Sequence, residues 1–468
     1  MKKRLISLIL AAIVLLSCAF AEESQSEEYL LPYIDLYAVP LGDNAIFEIP
    51  NEWGYQTSDA ADVPPMTSLL TDQNQMVMAM KLPADWEATD ASDALGIQSF
   101  IVEGTALMLG LTTPQSTRLQ EMTINDMPAV LVEMNGQGFD ILWIGDSGDL
   151  YFFLFPNDDD ALVQQMIAVA QSLCVFHRKG EQVNPASDFA YTADGGEVTI
   201  TDYIGTSEHV LIPDAIDGLP VTALGHQAFY EKTVTTVVVP DSVTEIGAAC
   251  FSGDNYLVSL TLPDELAELP PASLESCFRL MDFNLPKELK KISGSALQYN
   301  YYLTHLTLPS SLTEIEQLNF IGLYGLQSLT LAEDNAAFKL DETNGLLMTA
   351  DGTRLLHCFS DISPAEEIIL PEGVKIVDPF AFHYDYDVER IVLPEGVETI
   401  GAMAFAMCPN LTEIVIPASV TDIGVMDGLE GRTGIISYKR NVIVTPEGSP
   451  AWNWAVETGA TVKSPEEN

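Results

Sequence analysis

The sequence predicts a mixed fold: an amino-terminal α+β domain with an antiparallel sheet, followed by a solenoid of 23-residue repeats. Three observations carry this expectation. The first half alternates short apolar strand-like runs with helix-spaced segments, the second half repeats one hydrophobic phrase, and a polar stretch separates them.

Residues 1–21 read as an export signal. Positive charge at Lys2, Lys3 and Arg4, an apolar run from Leu5 to Leu16, and Ala19-Phe20-Ala21 ahead of Glu22 match a cleavable leader cut after Ala21. A competing reading places lipidation at Cys18 within "LLSC". Either way the expected location is secreted or at the cell surface, and no later apolar run reaches the roughly 20 residues a membrane span needs.

Residues 22–177 form the α+β expectation. "NAIFEIP" and "MVMAMKL" read as strands, "DASDALGIQSFIVEGTALML" has helical spacing, and "PAVLVEM", "FDILWIG" and "LYFFLFP" suggest a three-strand meander. A last helix is expected from about Asp159 to Cys174, with acids at its start where negative charge suits the helix dipole. "RKGEQVNPAS", residues 178–187, reads as a linker.

Beyond it, residues 188–463 repeat. Prolines that close a hydrophobic strand fall at Pro240, Pro263, Pro286 and Pro309, then at Pro371, Pro394 and Pro417, each step within a group being 23 residues. Ala332 continues the phase without the proline. Eleven positions after these prolines stand Phe251, Leu274, Leu297, Phe320, Phe382 and Phe405, with a miss at Gly428. The L-x-x-I-x-I shape of 411–416 predicts one short strand per turn and then a return segment. Gly247, Gly401 and Gly424 are expected to permit a tight return. One such turn cannot offset the entropy of ordering its backbone, so turns must stack and the ends must be capped. "SPAWNWAVETGATV" is expected to be the final cap, a short helix and a last strand.

These residues carry a resemblance. The stretch 191–229, the "IP..VT.IG..AF..C..L" units, "NGLLMTADGTRLLHCF" and "GSPAWNWA" together resemble bacterial BspA-like leucine-rich repeat proteins. The amino-terminal domain, through "FEIPNEWGY" and its strand-rich middle, loosely resembles PsbP-like domains. The first resemblance implies a leucine-rich repeat solenoid in a ligand-binding or adhesion role and implies no catalytic activity.

Composition points the same way. With 68 acidic against 20 basic residues the formal charge is −48, which disfavours nucleic acid and anionic lipid as partners. The five cysteines outside the leader, Cys174, Cys250, Cys277, Cys358 and Cys408, lack metal or disulfide spacing and read as buried thiols. "GDSGD" (145–149) has no histidine between Glu22 and Phe176 to serve it and reads as a hairpin turn. "NDDD" (157–160) reads as a helix start and "DETNG" (341–345) as a turn, not as calcium loops. No cofactor and no metal is expected.

The remaining candidate is a surface. The outward positions of the repeated strand are Thr236, Val238, Ser259, Thr261, Asp282, Asn284, His305, Thr307, Ser328, Thr330, Glu367, Ile369, Arg390, Val392, Glu413 and Val415. Small hydroxyls dominate them and aromatics are missing. The functional expectation is an exported non-catalytic binding or adhesion protein that meets an extracellular protein or glycan. The alternative is a structural spacer or envelope-assembly protein whose activity lies in the amino-terminal domain.

Overall fold

A computed structural model describes residues 36–41, 45–50, 54–58, 66–70, 75–82, 117–124, 127–134, 139–145, 150–156, 160–171 and 173–175, then 183–359, 365–425, 434–436 and 441–467. The leader, Cys18, the helix expected near 90–109, most of "GDSGD" and "NDDD", and Gly428 lie outside them. The chain divides into two units, Met1–Gln182 and Val183–Asn468.

In the first unit the expected meander is the middle of a larger antiparallel sheet. Its seven strands run in the order Gly54–Ser58, Met66–Leu70, Met76–Leu82, Leu150–Pro156, Phe139–Gly145, Met127–Met134 and Thr117–Ile124. Period two explains the buried face: Tyr151, Phe153 and Phe155 are all fully buried. A second sheet joins Leu36–Pro40, Ala45–Pro50 and Cys174–Val175, which the sequence reading did not separate. Phe47 of that sheet meets Phe153 of the first edge-to-face at 5.3 Å. Helix α1, Asp160–Gln171, adds Leu162, Met166 and Ala170 to the same core.

The second unit is the solenoid, and each regular turn carries two strands rather than one. The first ladder is parallel and in register at the 23-residue step, with Thr236 opposite Ser259 and Ser259 opposite Asp282. It runs from His209–Leu211 to Asp282–Phe283, pairs His305–Leu308 with Ser328–Leu331, and resumes from Glu367–Ile369 to Thr461–Lys463. A second ladder of mostly two-residue strands, such as Glu245–Ile246 and Lys291–Ile292, follows each proline corner. The β-branched "VTEI" type of segment, expected to be return, forms it.

The prolines do more than end a strand. Each accepts a hydrogen bond from the residue three further on: Val243 N to Pro240 O at 3.0 Å, Leu266 N to Pro263 O at 3.2 Å, and the same at 286, 309, 371, 394 and 417. Asn335 N donates to Ala332 O at 2.9 Å, so the corner forms even where proline is missing.

The third side of the coil is a chain of overlapping turns. Two residues per regular turn, four apart, take left-handed backbone: Ala272 and Ser276, Ser295 and Tyr299, Phe380 and Tyr384, Met403 and Met407. Such angles cost a non-glycine residue on the order of 1 kcal/mol or more. Bonds to the next turn hold them there, among them Ala272 N to Gly294 O and Tyr384 N to Ala406 O. Between the left-handed pairs, Phe229, Phe251, Phe382 and Phe405 point inward, stacking or tilting on one another at 5.2–5.5 Å.

Gly247 and Gly401 have a different role from the one expected. A Cβ at either would overlap the backbone of the preceding turn, at His226 N and Pro379 N respectively, whereas Gly424 has φ +73. The first two are glycines because neighbouring coils pass closely there.

A hairpin inserted into the array divides the core. Leu346–Thr349 pairs with Arg354–Cys358 in antiparallel fashion, and the latter joins the second ladder. Leu347 and Leu356 belong to the cluster that begins at Phe189, while Leu346, Met348, Leu355 and Cys358 belong to the one that ends at Ala455. Alternation along two strands thus supplies both halves. At the far end helix α2, Pro450–Thr458, starts at Ser449, whose side chain accepts from Trp452 N, and stops at Gly459 with φ 74. Trp454 and Ala455 cover the last turn. Asn184, placed in the linker by sequence, is tied to the first turn: Leu211 N donates to Asn184 Oδ1 at 2.8 Å and Asn184 N to Leu211 O at 2.9 Å.

Candidate interaction surfaces

The strand face holds most of the predicted positions, in two chemically different stretches. In the first, Thr261, Asn284, His305, Thr307 and Thr330 are exposed and Val238, Asp282 and Ser328 are half-buried. Thr236 and Ser259 are corrected: at 4% and 2% exposed they are interior groups. Their neighbours explain it, because Thr236 Oγ1 lies 3.0 Å from His209 Nδ1 and Ser259 Oγ donates to Asp282 Oδ2 at 2.6 Å. Further along, the Thr307 and Thr330 hydroxyls bond each other at 2.8 Å.

In the second stretch charges alternate across strands. Arg390 donates to Glu413 Oε1 at 2.8 Å and pairs with Glu367, and Lys463 reaches Glu413 Oε2 at 2.9 Å. Arg390 and then Lys463 hold the Glu413 carboxyl below its usual range. Beside them Ile369, Val392 and Val415 form an in-register apolar row, Ile369 being 59% exposed.

Sequence reasoning missed a second surface, on the corner between the return side and the strand face. Phe278, Tyr301 and Tyr324 stand 23 residues apart and stack at 4.8 and 5.6 Å with nearly parallel rings. Tyr384 meets Tyr324 edge-on at 5.3 Å and lies 6.3 Å from Tyr386. That spacing is readable in the sequence, but only the fold shows that it falls on a half-buried ridge.

The ridge runs into a cleft of about 520 Å³ lined by Tyr230, Glu231, Gly253, Tyr256, Glu275 and Phe278 among others. Tyr230 and Tyr256 are 38% and 53% exposed. Burial raises the Glu275 carboxyl above its ordinary value, and a hydrogen bond to Glu231 raises the Tyr230 hydroxyl.

The buried cysteines are more than apolar filler. Cys277 Sγ donates to Phe251 O at 3.1 Å and Cys408 Sγ to Phe382 O at 2.8 Å, while Asn300 Nδ2 donates to Leu274 O at 3.1 Å in the same place of its turn. Desolvation holds Cys250, Cys277 and Cys408 as thiols, Cys250 being pushed up to about 12. No group of three or more His, Cys, Asp or Glu side chains arranged to hold a metal occurs among the described residues.

Residues 222–341 and 356–426 match the BspA type leucine rich repeat region, in six copies. Among solved structures, the chain is similar to a leucine rich repeat protein of T. pallidum, at 25% identity over 49% of this chain and 91% of that one, TM-score 0.33. It is similar to another from Eubacterium ventriosum at 22% identity, 55% and 69% coverage, TM-score 0.41. Cyanobacterial PsbP from Synechocystis sp. PCC 6803 is also similar, at 14% identity over 30% of this chain and 93% of that one, TM-score 0.25. A comparison with curated proteins gives no match. The proline corners, in-register ladders and buried Cys/Asn positions recur through the matched residues, and 222–341 and 356–426 are BspA-type leucine-rich repeats.

Proposed function

We propose that this chain is an exported, non-catalytic binding or adhesion protein that presents the strand face of its solenoid to an extracellular protein or glycan. The BspA-type repeats support a repeat-based binding role in general terms. One observation carries the finer reading: Thr261, Asn284, Thr307 and Thr330 are exposed polar groups at one position of successive turns, the last two paired in register across adjacent strands. Neighbouring strands stand about 4.8 Å apart, so such positions offer hydrogen-bonding groups at a fixed repeat to an extended partner. Export is supported by the leader in the sequence, and no described helix is long and apolar enough to cross a membrane.

The test is capture of the chain lacking residues 1–21 on arrays of glycans and extracellular matrix proteins. A specific binder is expected whose affinity falls about tenfold or more, roughly 1.4 kcal/mol, in a doubly substituted N284R/T307R chain with an unchanged circular dichroism spectrum. A binder unaffected by that change moves the activity off the strand face. No binder at micromolar concentration sinks the adhesion reading.

A further inference from the structure

We propose that the corner cleft between Tyr230, Tyr256 and Phe278 binds the ammonium or guanidinium group of a basic peptide side chain. This inference stands apart from the strand face and needs no ligand there.

The cleft exists because the repeat is locally small. The second left-handed position of a turn is Tyr299, Tyr384 and Met407 further along, but it is Gly253 and Ser276 here, as it is Gly322 later in the array. A Cβ on Gly253 would sit 2.9 Å from Glu231 Cγ, so glycine lets that acidic side chain lie across the corner. The hollow is lined by Tyr230, Tyr256 and Phe278 and by Glu231 and Glu275.

Aromatic faces and carboxylates share one preferred guest. Ring quadrupoles attract cations, most strongly where water is thinned, and repel anions. Glu275 is partly desolvated, and among the described residues no cation pairs with it. The cleft's own lysine, Lys232, is engaged 2.8 Å from Asp202. One ring already behaves as expected, since the Arg279 guanidinium lies 5.8 Å from the Tyr256 ring centre while Arg279 does not line the cleft. A formal charge of −48 draws cations toward every face, and this corner adds aromatic residues and a cavity. A volume near 520 Å³ accepts a whole lysine or arginine side chain with its flanking backbone.

The test separates this site from diffuse attraction. Acetyl-Gly-Lys-Gly-amide, its arginine analogue and its norleucine analogue are titrated into the chain lacking residues 1–21 by isothermal calorimetry or ligand-observed NMR, at about 0.15 M salt, where diffuse attraction is screened. The lysine and arginine peptides should bind, the norleucine peptide about tenfold more weakly. Glu275→Gln and Tyr256→Leu should each weaken lysine-peptide binding by about fivefold or more, whereas Glu447→Gln, an equal charge change on another exposed site, should alter it less than about twofold. Both cleft side chains are partly or largely exposed, so the variants fold, which thermal melts verify. Equal losses in Glu275→Gln and Glu447→Gln, equal binding of the norleucine peptide, or no binding overturns the proposal.

Discussion

The Cys277 thiol donates to the Phe251 carbonyl, 26 residues earlier and one turn back, at 3.1 Å. Both groups are fully buried, so the bond links coils where water cannot replace it. Cys277→Ala removes the donor and leaves a small void, and should destabilise the solenoid by about 1–3 kcal/mol in urea unfolding. Because burial keeps these thiols protonated, iodoacetamide at mildly alkaline pH should leave Cys250, Cys277 and Cys408 unlabelled until denaturant is added.

Asp254 occupies the same place one turn before Cys277, and burial pushes its carboxyl up to about 8. Its Oδ2 is buried without a hydrogen-bond partner among the described residues. The folded chain therefore keeps a proton that the unfolded chain releases near pH 4, and this contribution to stability is full below about 4 and lost as pH rises toward 8. Asp254→Asn, which copies the uncharged form and matches Asn300, should remove a slope of up to about 1.4 kcal/mol per pH unit in that window. Melting curves at several pH values read it directly; an unchanged slope would sink the assignment.

His357 and His383 act in the opposite sense. Desolvation pushes them down to about 3 and about 4, and His383 further disfavours charge on His357. Both are neutral in the fold, so their contribution is present above about 6.5 and is lost as pH falls through 4 toward 3. His357 packs between Phe320 and Phe359, on the inserted hairpin that divides the core. Acid unfolding should begin there, and His357→Gln should flatten the stability curve below about pH 6. Hydrogen exchange that opens elsewhere first would contradict this.

Gly401→Ala should be among the most damaging single methyl additions. The new Cβ would overlap Pro379 backbone in the preceding coil, so the coils must separate and the cost should exceed about 3 kcal/mol. Gly247→Ala meets His226 in the same way, which makes it an independent check.

The ion pairs of Arg390 should matter less. Its side chain is 40% exposed, and Arg390→Met should lower stability by under about 1 kcal/mol, less at high salt. A loss of several kcal/mol would show that the ladder Glu367–Arg390–Glu413 is shielded from water.

Particular residues show what could be read in advance. The 23-residue step of Pro240 to Pro309, with Phe251, Leu274, Leu297 and Phe320 each eleven positions on, makes the repeat and its strand ends legible, because every turn must place the same groups against its neighbour. The cap at Ser449 to Val462 was legible for a similar reason: an N-cap serine, Pro450 and Gly459 are local signals. The outward list was readable only as an alternation. It put Thr236 and Ser259 outside, whereas partners one coil away cover them.

The sequence by itself determined the period, the direction each repeated apolar side chain takes and the cap that ends the array, since these follow from local pattern and turn chemistry. Only the tertiary structure decided the second strand ladder, the left-handed residues of the return and the aromatic corner with its cleft. No glycine or asparagine marks Ala272, Phe380 or Met403 as left-handed, because hydrogen bonds to the next coil offset a strain that no single turn could hold.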